Sequence, residues 1–152
     1  MAPTTTATTV IHDARQLLQL RQRELDELFA ASPVGRIPTG TGAGIPMIAN
    51  RTLLGVFLRG IAPFLWKGKV FRPETADLMN RILPWGKLAI RARVYIDRSW
   101  KAPGDAIILD YSTTSVFARY VRDEIREVGP GIYLGKVFIG RKHVFDFSLT
   151  FR

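Results

Sequence analysis

The last ten residues alternate along their whole length, His143, Phe145, Phe147, Leu149 and Phe151 interleaving with Val144, Asp146, Ser148, Thr150 and Arg152. A period of two marks a strand with one apolar face. The same period runs through residues 88–97, with Leu88, Ile90, Ala92, Val94 and Ile96 on one face and Arg91, Arg93, Tyr95 and Asp97 on the other. Residues 106–111 are apolar on both faces until Asp110, which predicts a strand covered on both sides. Residues 122–128, Gly129-Pro130-Gly131 and residues 132–139 read as a hairpin, and residues 66–71 as a short aromatic strand. Successive short strands joined by tight turns favour a curled antiparallel sheet or small barrel, because a parallel sheet needs crossover helices.

The N-terminal third has a different period. Leu17, Leu18, Leu20, Leu25, Leu28 and Phe29 predict one helix over residues 10–31, stopped at Ser32-Pro33. Residues 35–46, rich in Gly and Pro, read as loop without the Gly-Lys-Ser/Thr that a phosphate cradle requires. Residues 51–65 read as a mostly buried helix with Arg51 and Arg59 on one edge, a core helix or an interfacial one. Phe117, Val121 and Ile125 would also suit a helix, so a short helix near residues 114–121 is expected before the strand. The predicted organisation is a mobile Thr/Ala tail over residues 1–9 and a single α+β domain over residues 10–152, its helices packed on or plugging a barrel-like sheet.

Composition removes several classes of chemistry. With no cysteine there are no disulfides, thiolates or thiolate metal sites, and two histidines without clustered carboxylates give no metal site, so neither metal nor cofactor is expected. The N-terminus lacks the basic and apolar regions of a secretory signal, which places the chain in the cytoplasm by default. The net charge of +9 is scattered, with no basic run longer than Arg141-Lys142. That pattern predicts no specific nucleic-acid site and at most weak association with anionic membranes. Oligomeric state is not encoded in any pattern found.

Trp66-Lys-Gly-Lys-Val-Phe71, Asp110-Tyr-Ser-Thr-Thr-Ser115 and Pro130-Gly-Ile-Tyr-Leu-Gly135 carry the motifs W-x-G-K-x-F, D-Y-S-x-T-S and P-G-x-Y-L-G. On these strings, residues 24–151 resemble a group of small microbial proteins. More distantly, Trp66, Gly68, Lys69 and Phe71 are similar to the domain of unknown function named for its G-x-W-x-G motif. The resemblance implies a lipocalin-like barrel, and such a barrel implies a small apolar ligand inside.

No G-x-S-x-G is present, and His143 belongs to a strand stripe, which disfavours a serine hydrolase. Asp110 interrupts an apolar strand beside Tyr111. It reads either as a structural carboxylate capping the following turn or as a cavity-facing acid/base group of raised pKa, with Tyr111 as proton partner. Arg122, Asp123, Glu124, Arg126 and Glu127 read as surface ion pairs. Of the three tryptophans, Trp85 and Trp100 adjoin turns, and Trp66 is the candidate pocket wall, with Phe145 and Phe147 beside it. Lys69 and Arg93 are the candidates for an anionic or carbonyl ligand end. The leading reading is a barrel binding a small hydrophobic molecule. The alternatives are a cofactor-independent isomerase, cyclase or lyase using Asp110 and Tyr111, and an interaction protein acting at membrane surfaces or on nucleic acid.

Overall fold

The computed structural model describes residues 10–47, 66–82, 87–116 and 118–152. Eight antiparallel strands form a closed barrel in chain order: β1 (Gly40–Met47), β2 (Trp66–Arg72), β3 (Asp77–Ile82), β4 (Lys87–Arg98), β5 (Asp105–Asp110), β6 (Val121–Gly129), β7 (Ile132–Ile139) and β8 (Lys142–Thr150). Pairing of β1 with β8 closes it, so every strand has two neighbours and no edge is left open. Among the described residues the helical content is a 3₁₀ turn (Ala14–Gln19) and one α-helix, α1 (Gln22–Ala31). No helix among the described residues is long and apolar enough to cross a membrane.

Alternation along each strand divides the core into two layers. Phe71, Leu78, Ala92, Val94, Ile107, Leu109, Ile125, Tyr133, Phe147 and Leu149 fill the barrel. Ala106, Ile108, Val128, Ile132 and Leu134 point outward and are covered by Ile11, Leu17, Leu25 and Phe29. Strand β5 is therefore buried on both faces, and the described helices lie against the outside of the wall instead of plugging the barrel.

The single helix expected over residues 10–31 is two pieces. Leu20 and Arg21 are extended (ψ 141° and 161°), and Glu24 Oε2 accepts the Arg21 backbone N–H at 2.7 Å to start α1. The break lets Leu17 on one piece and Leu25 and Phe29 on the other reach the same curved wall. The Gly/Pro stretch read as loop supplies β1, whose missing side chains make room for aromatic rings of the barrel interior. Strand β3 carries little alternation in its sequence, and the short helix expected near residues 114–121 is not found among the described residues of that span, where residues 112–114 and 119–120 form turns. The expectations for residues 1–9, 51–65 and Trp85 lie outside the described residues.

At one end of the barrel the segment before β1 packs against the interior, with Val34 on the inner cluster. Tyr133 Oη donates to the Arg36 carbonyl at 2.7 Å, and the Tyr133 ring meets Phe151 edge to face. Burial and the nearby Glu127 carboxylate push the Tyr133 hydroxyl up to about 12, so it stays a donor. The other end holds the space described next.

Candidate functional site

Two bulges build the site. In β2 the register shifts between Trp66 and Gly68, so Trp66 and Lys69, three residues apart and destined for opposite faces in a regular strand, both turn inward. Between β3 and β4 the shift at Met79/Asn80 leaves Ile90 as the extra residue, with φ 56°. Freed from the ladder, the Ile90 carbonyl accepts Asn80 Nδ2 at 2.9 Å and holds that amide in the interior.

Trp66, Lys69, Asn80, Ile90, Tyr111, Val121, Asp123, Val137, Phe145 and Phe147 line a cavity of about 230 Å³. Its aromatic walls depend on neighbouring glycines. A Cβ on Gly44 would lie 2.4 Å from the Trp66 ring, and one on Gly135 would lie 2.3 Å from the Phe147 ring. Trp66 and Phe147 then meet edge to face at 5.5 Å between centroids.

The polar base of the cavity is a connected hydrogen-bond network. Lys69 Nζ donates to Tyr111 Oη at 2.6 Å, Asn80 Oδ1 at 2.9 Å and Asp123 Oδ2 at 3.0 Å. Trp66 Nε1 donates to Asn80 Oδ1 at 3.2 Å, Asn80 Nδ2 also reaches Tyr111 Oη at 3.1 Å, and Tyr111 Oη donates to Asp123 Oδ2 at 3.3 Å. The Lys69 ammonium lies 5.2–5.5 Å from the ring centroids of Trp66, Tyr111 and Phe147. Burial pulls Lys69 down, but the Asp123 carboxylate and the Tyr111 contact outweigh it and leave its pKa raised. Burial and the Asp123 charge push Tyr111 up to about 12. Asp123 Oδ1 is buried without a hydrogen-bond partner among the described residues. An unpartnered buried acceptor costs about 1–3 kcal/mol, and more when charged.

Four of the residues expected to bind ligand, Trp66, Lys69, Phe145 and Phe147, therefore line one cavity, together with Tyr111. Two do not. Asp110 precedes Tyr111 by one residue, so the pleat turns it outward, where it accepts Tyr95 Oη and the Ser112 backbone N–H, each at 2.9 Å. Burial raises its carboxyl, but the Ser112 and Tyr95 hydrogen bonds more than offset this, and its pKa is lowered, the reverse of the acid/base expectation. Arg93 pairs with Asp110 in the ladder, shares its outward face and lies over the Tyr95 ring. It cannot serve a ligand inside.

His143 also leaves the aromatic stripe. The shift at Val137/Phe138 makes Val144 an extra residue, and His143 Nε2 lies 2.6 Å from the outward Asp146 Oδ1. Asp146 and Lys136 are 2.8 Å apart beneath α1, with Asp26 of that helix 2.7 Å from Lys136 Nζ. Sequence reasoning missed Asn80 and Asp123. Asp123 was legible, because Val121 and Ile125 on either side share its face and both turn inward.

No family model and no curated protein matches the chain. Among solved structures, a protein from Thermomonospora curvata superposes with a TM-score of 0.62 over 91% of this chain and 97% of that one, at 18% identity. The barrel fold is shared between the two.

Proposed function

We propose that the barrel binds a small apolar molecule in the cavity bounded by Trp66, Phe145 and Phe147. The observation carrying this reading is a cavity of about 230 Å³ with aromatic and aliphatic walls over a small polar base. A cavity of ~150 Å³ takes benzene, so in proportion this one suits a molecule of about nine non-hydrogen atoms.

Binding is favoured over turnover by the state of the ionisable groups. Lys69 is raised and Tyr111 stands at about 12, so neither exchanges a proton readily near neutral pH. The carboxylate intended for acid/base work, Asp110, is on the other side of the wall.

Thermal unfolding in the presence of small aromatic compounds tests the reading. A true ligand at a hundred times its Kd stabilises the fold by about 2.7 kcal/mol. Val137→Phe, which fills the space from the wall, should abolish that shift while the variant still unfolds cooperatively. A panel of compounds of the stated size that leaves the wild-type transition unmoved would refute it.

A further inference from the structure

We infer that the molecule this barrel takes is an alcohol or phenol, an apolar body carrying a hydroxyl that donates to Asp123, and not a carboxylate or a ketone. The inference rests on the cavity-binding reading above and adds the chemistry of the ligand's polar end.

Donor accounting excludes the alternatives. All three hydrogens of Lys69 Nζ are engaged, by Asn80, Tyr111 and Asp123. Both hydrogens of Asn80 Nδ2 are engaged, by the Ile90 carbonyl and Tyr111. The hydroxyl hydrogen of Tyr111 goes to Asp123 Oδ2, and the indole N–H of Trp66 goes to Asn80 Oδ1. A ligand carbonyl or carboxylate entering this base would thus meet no free donor. A carboxylate would in addition meet the charge of Asp123, a side chain buried from solvent and therefore weakly screened.

The polar atom left over is an acceptor. Asp123 is 3% exposed, lines the cavity, and its Oδ1 has no partner among the described residues. A buried acceptor calls for a donor from whatever fills the adjacent space. Because Lys69 and Asp123 already cancel in charge, a neutral O–H completes the set, whereas an ammonium would put a second cation beside Lys69.

The test compares four probes of similar shape on the full chain by titration calorimetry: benzyl alcohol, ethylbenzene, acetophenone and benzoate. Benzyl alcohol is expected to bind about tenfold or more tighter than ethylbenzene and acetophenone, since a site holding an unpaired polar group discriminates against partners that cannot satisfy it, with benzoate weakest. Equal affinity for ethylbenzene, or a preference for acetophenone or benzoate, would overturn the hydroxyl inference and leave cavity binding intact. Absence of binding by all four would overturn both. Asp123→Asn gives a second readout. Its amide oxygen is expected to turn to Lys69, its NH₂ then faces the cavity, and the preference should switch from benzyl alcohol to acetophenone. Retention of the original order in that variant would count against the assignment.

Discussion

Lys69 Nζ lies 3.0 Å from Asp123 Oδ2 inside the barrel, and each side chain is only 4% exposed. A buried ion pair of this kind offers little net stability over a well-packed apolar pair, yet losing one member leaves a charge without a counter-ion. Lys69→Met alone and Asp123→Leu alone are each expected to destabilise by about 3–5 kcal/mol. The double substitution should recover most of that loss, because Asn80 keeps its contacts with Trp66 and Tyr111 when both charges are gone. Urea unfolding of the four proteins measures the coupling, and a double variant as unstable as the sum of the singles would contradict it.

Phe147 folds over Gly135 of the adjacent strand, and an added methyl at Gly135 would stand 2.3 Å from the ring. The ring cannot remain where it is, and the space it can move into is the cavity. Gly135→Ala is therefore expected to cost about 1–3 kcal/mol through overpacking and to weaken binding of any cavity ligand. Adding Phe147→Leu should relieve the clash. The check is whether the melting temperature of the double variant exceeds that of Gly135→Ala.

Strand β8 was legible because its alternation sets Phe147 and Leu149 against the interior, and β5 because both of its faces are covered and its sequence is apolar on both. What was hidden came from three physical sources. Strand β1 looks like loop because its glycines yield volume to Phe151 and Trp66, a tertiary demand that leaves no trace in local propensity. The bulges at Lys67 and Ile90 shift the face on which residues fall, so no count of spacing pairs Trp66 with Lys69. Asp110 misled for the opposite reason. An interrupting carboxylate in an apolar strand suggests a buried charge, but the pleat alone assigns Asp110 and Tyr111 to opposite faces, and only Tyr111 reaches the cavity.

Asp77 is the acid-labile point of the barrel wall. Burial alone would raise its carboxyl, but hydrogen bonds from Arg72, Thr75 and Arg91 hold it at about 2. A carboxyl whose folded pKa lies below its unfolded value stabilises the fold above about pH 4, and this contribution disappears as pH falls toward about 2. Arg72 and Arg91 are 37% and 51% exposed, so solvent screening reduces the contribution to about 1 kcal/mol. Asp77→Asn should be less stable than wild type at pH 6, with the gap closing between about pH 4 and pH 2. A gap that stays constant across that window, measured by denaturant unfolding, would remove the arginine pairing as its source.

Arg126 joins the helix to the barrel through one planar group. From the outer face of β6 its guanidinium donates to the carbonyls of Phe29 and Ala30 at the end of α1, at 2.9 and 3.3 Å, and to those of Pro103 and Asp105 at 2.7 and 3.0 Å. The helix end would otherwise bury carbonyls without partners, since α1 has no basic residue in its last turn. Burial lowers the Arg126 pKa, while Glu124 and Asp105 draw it back, and an arginine so lowered remains charged at neutral pH. A lysine at this position carries a point charge and cannot span four acceptors in a fork. Arg126→Lys is therefore expected to destabilise by about 1–3 kcal/mol. The loss should be local before it is global: amides of α1 should exchange faster with deuterium while those of β7, buried on both faces, keep their protection. Uniform acceleration across α1 and β7 would show instead that the guanidinium stabilises the whole barrel and does not act as a latch for the helix.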